Sequence, residues 1–188
     1  MSSSLLLFIT LIIIMIISIF CFYFYHFVEC LNITFKNSWY IISVHETHWS
    51  INWLWARETC QNQGGDLVSI ETEEEWNFIN DQIQRRNTTY YENKWSIGLT
   101  KKAGNWTWVN GRPLTICKWE QGEPRGEHDA AFMYKRSSNG EQGVFGGVNG
   151  TSTKYNHAYI CEISEGKLLF LLLFCFVFSV CLLSLILF

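Results

Sequence analysis

Four histidines lie in the polar part of the chain, and none keeps the company that catalysis or zinc binding needs. His45-Glu46-Thr47-His48 sets two rings three positions apart, whereas a helix that grips zinc uses i, i+4 spacing. His128 and His157 stand alone in the sequence. No C-x-x-C pair occurs, so a structural zinc site is disfavoured. No nucleophile elbow and no H-E-x-x-H motif is present. The acidic run Glu73-Glu74-Glu75 follows Thr72 in a capping-box pattern, with the Thr72 hydroxyl accepting from the amide of Glu75 and Glu75 reaching back. These carboxylates suit the positive end of a helix and read as helix-start chemistry, not general acids. Arg85-Arg86 falls near the other end of the same predicted helix, where cations are favoured. With no nucleophile, base and oxyanion donors in view, the residues point to a binding protein and away from an enzyme.

The elements that position these residues are bounded by charge. Lys and Arg number 14 and Asp and Glu 17, for a formal net charge of −3, and all of them fall between Glu29 and Lys167. Two apolar ends thus flank a middle long enough to bury its own core. The charge is mildly acidic with no long basic run, so nucleic acid is not expected as a partner. Residues 1–28 read as a signal anchor or a cleaved signal peptide; as a helix, Leu5 to Val28 would reach roughly 36 Å, against a bilayer core of roughly 30 Å. Residues 168–188 read as a C-terminal transmembrane helix or a lipid-anchor signal, although Lys167 alone does not make the polar spacer of the latter. As signal anchor or as signal peptide, residues 1–28 send the middle into the lumen of the secretory pathway, for a membrane-attached luminal or extracellular domain. Residues 29–37 form a short stem and 164–167 a linker.

Cys21, Cys175 and Cys181 lie in the apolar runs, and Cys30, Cys60, Cys117 and Cys161 in the middle. Four is an even number that an oxidising compartment can pair, and spacing alone does not fix the connectivity. Cys30 and Cys117 could pair with each other, or Cys30 could bridge two chains as a homodimer. Four N-x-[ST] acceptors, at Asn32, Asn87, Asn105 and Asn149, argue for a glycan-bearing surface. Asn105, beside an aromatic strand, is the one most exposed to being unused.

Along the middle, Trp39 to Val44 predicts a strand. Ser50 is a candidate N-cap for a helix over 51–61, with Ile51, Leu54 and Trp55 on its apolar face. Leu67 to Ile70 is a strand-like link. Trp76, Ile79 and Ile83 give the second helix its apolar face. From Trp95 the pattern is β, with a turn at Asn110-Gly111. Residues 111–128 are irregular and hold both prolines. Ala130 to Tyr134 predicts a strand, 137–150 a glycine-rich loop, and Tyr155 to Ile163 a closing strand.

Specific residues follow in a recognisable order: Trp53-x-x-Ala56-x-x-x-Cys60; Gly65-x-Leu67-Val68-Ser69-Ile70 and Glu75; Ser96-Ile97-Gly98-Leu99; Trp108-x-x-Gly111; Trp119-x-x-Gly122-Glu123-Pro124; and Ala158-Tyr159-Ile160-Cys161-Glu162. Together they resemble the C-type lectin-like domain family over 38–163, with Ser96 where the family usually has Trp. The resemblance implies an α+β fold of two helices, small antiparallel sheets and a long irregular loop. It implies a disulfide from Cys60 to Cys161. It places the family's second bridge at Ala130 and near Gly150 or Thr153, where both cysteines are missing together.

Sugar-binding members of that family hold calcium with an E-P-N or Q-P-D triplet and a W-N-D motif. Calcium wants about 6–8 oxygen ligands. Here the triplet is Glu123-Pro124-Arg125, and a guanidinium has no acceptor and brings a positive charge. The second motif becomes Phe145-Gly146-Gly147 or Val148-Asn149-Gly150, and the Asp is gone in both registers. Glu127 and Asp129 remain as oxygen donors, although surface acids are usually only solvated. The expectation is therefore no metal and no cofactor, with calcium disfavoured. In the family the peptide bond before this proline is often cis, and the retained Pro124 implies that the shape of the loop still matters. Trp119, Arg125 and Tyr134 are candidates for a calcium-independent surface, because aromatic rings stack on sugars and Arg reads carboxylates or sulfates. The usual role of Trp119 in the family, however, is to support the loop from inside. The function implied is a recognition receptor for glycan or protein, the alternative being a calcium-dependent lectin with non-standard ligands.

Overall fold

The structure is a computed structural model, and it describes residues 33–43, 52–88, 93–152 and 158–164, together with Ile12, Met15, Ile16 and Gly166. The expected membrane segments, Cys30, Asn32, His45, His48 and Thr153 lie outside the described residues, apart from Ile12, Met15 and Ile16, which are helical. Among the described residues no helix is long and apolar enough to cross a membrane.

Strand β1 (Thr34–Phe35) and strand β2 (Ser38–Ile42) form a short hairpin. Helix α1 (Trp53–Asn62), strand β3 (Asp66–Leu67) and helix α2 (Glu73–Gln84) follow. Strands β4 (Lys94–Lys102), β5 (Asn105–Trp108), β6 (Ala130–Tyr134), β7 (Phe145–Val148) and β8 (Ala158–Ser164) complete the domain. The strand order is β1-β2-β8-β4-β6-β7, with β3 also paired to β8 and β5 to β4. The expectation of antiparallel sheets needs one correction. β4 and β8 run parallel, Trp95 opposite Ala158 and Ser96 opposite Tyr159. A parallel pair needs a long crossover, which the intervening β5, β6 and β7 supply.

Helix α1 has the expected period but not the expected phase. Asn52, not Ser50, is its cap, accepting from the Trp55 amide at 2.8 Å. Its buried residues are Trp53, Ala56 and Cys60, while Leu54 and Trp55 are 51% and 42% exposed. Two tertiary ties set that phase. Trp53 Nε1 donates to the Ile97 carbonyl at 2.7 Å, and Cys60 is bonded to Cys161. That disulfide closes a sequence separation of 101 residues, worth up to about 4.7 kcal/mol in the chain-entropy model.

Helix α2 begins as expected at Thr72, whose hydroxyl accepts from the Glu75 amide at 3.2 Å. Glu75 reaches back one residue further than a capping box requires. Its Oε2 accepts from the Glu71 amide at 2.9 Å, and its Oε1 from the Tyr40 hydroxyl at 2.8 Å. At the other end Arg85 pairs with Asp81 at 2.5 Å.

The larger core cluster includes Tyr40, Ile79, Ile83, Trp95, Leu99, Trp108 and Phe145, and a second gathers Trp53, Cys60, Phe132, Val148 and Cys161. Gly98 shows why its motif needs glycine. A Cβ there would stand 2.6 Å from the Leu67 carbonyl oxygen and 2.8 Å from that of Val68. The register of β4 against β6 shifts between Ile97 and Thr100, and Gly98 N–H turns to the Val68 carbonyl at 2.8 Å. The predicted 137–150 loop is also corrected, since it contains β7. Phe145 and Val148 are buried there, and that burial outweighs the poor strand propensity of Gly146-Gly147.

Candidate functional site

The irregular segment after β5 packs against β7 through Glu123. The Glu123-Pro124 bond is cis. The Glu123 side chain is 11% exposed and its carboxylate is enclosed by nitrogen. Oε2 accepts from the Gly147 amide at 3.1 Å and the Arg125 amide at 3.2 Å, and lies 2.9 Å from His128 Nδ1. Oε1 pairs with Arg125 Nε at 3.3 Å. The oxygens that would face a cation therefore face N–H groups, one of them on a guanidinium that is always charged.

Gly147 makes this arrangement possible. A Cβ on it would stand 2.2 Å from His128 Nδ1 and 2.8 Å from Glu123 Oε2. Neither Gly147 nor His128 stood out in the sequence as a site residue. The available signal was the glycine pair inside an apolar flank, because glycine within a strand often marks the close approach of another group.

Beside this cluster opens a cleft of 390 Å³. Of the candidates, Glu123, Arg125, Glu127 and Tyr134 line it, joined by Lys94, His128, Phe132 and Gly147. Asn149 and Thr151 also line it. Glu127 is 71% exposed, its carboxylate 4.0 Å from His128 Nε2. Asp129 and Trp119 are placed elsewhere. Asp129 Oδ1 accepts from the Gly150 amide at 2.7 Å, and its carbonyl accepts from the Lys101 amide and the Thr100 hydroxyl, so it ties β4 to the loop ends. Trp119 meets Trp106 and Phe145 edge to face, with centroids 4.8 and 6.1 Å away, and packs against the larger core. It supports the loop from inside.

Lys94 reaches the cleft because β4 pairs Lys94 with Tyr134 of β6. Its ammonium lies 4.9 Å from the Phe132 ring centroid and 5.1 Å from that of Tyr134, within cation–π range. Burial pushes the Lys94 ammonium below its usual value, and the Glu120 carboxylate offsets this in part. Burial pushes the Tyr134 phenol well above its usual value, and the charge of Glu120 adds to that. Tyr134 is therefore a neutral hydrogen-bonding group at any physiological pH.

Gly150, one of the two positions that the resemblance implies for the second bridge, lies beside Ala130. A Cβ on Gly150 would lie 3.3 Å from the Ala130 Cβ, close to the Cβ separation of a disulfide, about 3.5–4.5 Å. Cys117 is exposed and free.

Residues 50–163 match the Lectin C-type domain family. The mouse CD209 antigen-like protein A is 35% identical over 104 residues, which are 52% of this chain and 40% of that protein. The chain thus spans well under half the length of that relative. The solved carbohydrate-recognition domain of cow CD23, studied in the presence of a GlcNAc2Man3 oligosaccharide, aligns with a TM-score of 0.54 and 25% identity over 69% of this chain and 90% of that one. A Saxidomus purpuratus protein, SPL-2, described as a Ca2+-independent C-type lectin, aligns with a TM-score of 0.59 and 19% identity over 69% of this chain and 88% of that one. The chain belongs to the C-type lectin domain family, and is a binding module and not an enzyme.

Proposed function

We propose that this domain is the recognition domain of a membrane-anchored surface or luminal receptor that binds a glycan or protein ligand at the Glu123–His128 cleft without calcium. One observation carries the reading: the Glu123 carboxylate is already enclosed by the Gly147 amide, the Arg125 amide and guanidinium, and the His128 ring. A calcium ion needs that oxygen pair and several more, and would meet the Arg125 charge on arrival. In this reading the Arg125 guanidinium and backbone N–H groups take the place in which the family's sugar-binding members hold a metal. The family and the oligosaccharide of the cow CD23 study support a glycan as the ligand class. SPL-2 supports the separate point that the fold is compatible with calcium independence.

In this reading the two charge-free ends attach the domain to a membrane, and Asn87 and Asn105, both exposed, carry N-glycans together with Asn32, whereas Asn149 lines the cleft. Cys30, which follows the first apolar run in the sequence, links two copies near that membrane in the same reading. The test is a screen of the full chain, displayed on cells, against glycan and protein libraries with calcium and with chelator. Binding that survives chelation is expected. Binding that appears only with calcium would establish the calcium-dependent alternative instead.

A further inference from the structure

We infer that Asn149 carries an N-linked glycan rooted in the Glu123–His128 cleft, and that this glycan shuts ligand out, so that occupancy of one sequon sets how much of the protein can bind. The inference rests on the reading of the cleft as the ligand site and adds its regulation. Three sequon asparagines are described, Asn87, Asn105 and Asn149, and all three are exposed. Asn149 alone among them lines the cleft, together with Thr151 of its own Asn149-Gly150-Thr151 sequon and with Arg125, Glu127, His128 and Tyr134. A glycan on Asn87 or Asn105 decorates the surface. A glycan on Asn149 starts inside the site.

The turn that holds Asn149 is tied down on both flanks. It follows β7 directly, and the Asn149 carbonyl accepts from the Ser152 amide at 2.9 Å. Asn149 Oδ1 accepts from the Thr151 amide at 3.0 Å and the Thr151 hydroxyl at 2.7 Å. The amide of the buried Gly150 donates to Asp129 Oδ1 at 2.7 Å, and its carbonyl accepts from the Leu54 amide at 3.4 Å. Two residues upstream, the Gly147 amide holds Glu123. The root of a glycan on this turn therefore stays at the cleft. An N-glycan is bulky and hydrophilic, and the cleft measures 390 Å³, so glycan and ligand contend for one space. The modification forms a bond from Asn149 Nδ2 to the anomeric carbon of a lipid-diphosphate-linked oligosaccharide. The bond from that carbon to the diphosphate oxygen breaks, the lipid diphosphate leaves with the electron pair, and one Nδ2 proton passes to a base. Molecules left bare at Asn149 keep the open cleft, and they are the ones that bind.

The experiment uses the full chain made in secretory-competent cells and purified in detergent, beside Thr151→Ala, which abolishes the sequon but keeps Asn149, and Thr151→Ser, which preserves it. Oxidation of Cys60–Cys161 checks folding. Glycopeptide mapping reads occupancy, and chemical labelling reads the cleft: a carbodiimide for Glu127 and phenylglyoxal for Arg125, which are 71% and 66% exposed without a glycan. Glu74 and Arg112, outside the cleft lining, are the reference sites. Expected is a glycan on Asn149 in the parent and in Thr151→Ser, with labelling of Glu127 and Arg125 that rises only in Thr151→Ala while the reference sites hold steady. On saccharide and protein libraries in chelator, with only bare molecules competent, a parent about nine-tenths occupied should bind about 10-fold less than Thr151→Ala. A bare Asn149 in the parent, or an occupied one with unchanged labelling, would overturn the inference. Equal chelator-resistant binding by parent and Thr151→Ala would also overturn it and leave the calcium-free reading standing. Labelling that rises in Thr151→Ala, with library binding by either protein only after calcium is added, would instead sink the calcium-free reading and leave the glycan's hold on the cleft intact.

Discussion

Ala130→Cys with Gly150→Cys should restore the bridge that this chain lacks. The two Cβ positions lie 3.3 Å apart, and a Cβ on Gly150 meets Asp129 Oδ1 at 3.5 Å and Trp53 Cε3 at 3.7 Å, so there is room for the side chain with only slight spreading. The closed loop spans 20 positions (150 − 130). In the chain-entropy model such a loop contributes about 3 kcal/mol, an upper figure because native strain subtracts from it. With a urea slope of about 1–3 kcal/mol/M, the midpoint should rise by roughly 1–3 M. The assay is peptide mapping of the oxidised full chain, followed by denaturation beside the parent protein. The bridge clamps both ends of the segment that carries β7 and Gly147, so calcium-free ligand binding should be kept. Two thiols that stay reduced under oxidising conditions, or a bridge that lowers the midpoint, would refute the placement of Ala130 against Gly150.

Gly147→Ala should drive a methyl group into His128 and Glu123, costing about 1–3 kcal/mol and disrupting the cleft; denaturation and ligand binding check the two parts separately. Replacing Cys60 and Cys161 together by Ala should cost about 2–5 kcal/mol, read as loss of folded protein at 37 °C. Burial raises the Glu75 carboxyl above its usual value near 4.5, more than the Glu71 and Tyr40 hydrogen bonds lower it. A raised folded value means that the stability linked to this proton is fully present below the ordinary value and is lost as pH rises through the raised one. Glu75→Gln keeps one acceptor oxygen for the two donors, the Glu71 amide and the Tyr40 hydroxyl, so it should lose part of that hydrogen bonding. It should also lose the part of the stability decline above pH 4.5 that Glu75 causes, and an unchanged pH slope would contradict this.

Much of the frame was legible because local chemistry and tertiary structure agree. Thr72 caps α2 where a Thr-x-x-Glu pattern puts it, Ile79 and Ile83 face inward at helical spacing, and Cys60 meets Cys161 as the resemblance implied. The phase of α1 was not legible from hydrophobic periodicity, although the Trp53-x-x-Ala56-x-x-x-Cys60 motif carried it. Leu54 and Trp55 are as apolar as Trp53, and only the contacts of Trp53 and Cys60 with β4 and β8 choose between the two faces. β7 was hidden by Gly146-Gly147, whose lack of side chains reads as loop locally and serves packing globally. At the site, Glu123 and Arg125 could be named from their triplet. Lys94 and His128 could not, because pairing of β4 with β6 brings Lys94 opposite Tyr134 across 40 positions (134 − 94). A capping box likewise does not foretell that Glu75 will serve Tyr40 and Glu71 instead of its own cap.

The occupancy of the Glu123 carboxylate is tested most directly by titrating calcium into the full chain by calorimetry, beside Glu123→Ala. The account predicts no tight one-to-one uptake in either protein. Stoichiometric, high-affinity calcium binding in the parent that disappears in Glu123→Ala would show that the metal displaces Arg125 and His128, and would contradict it.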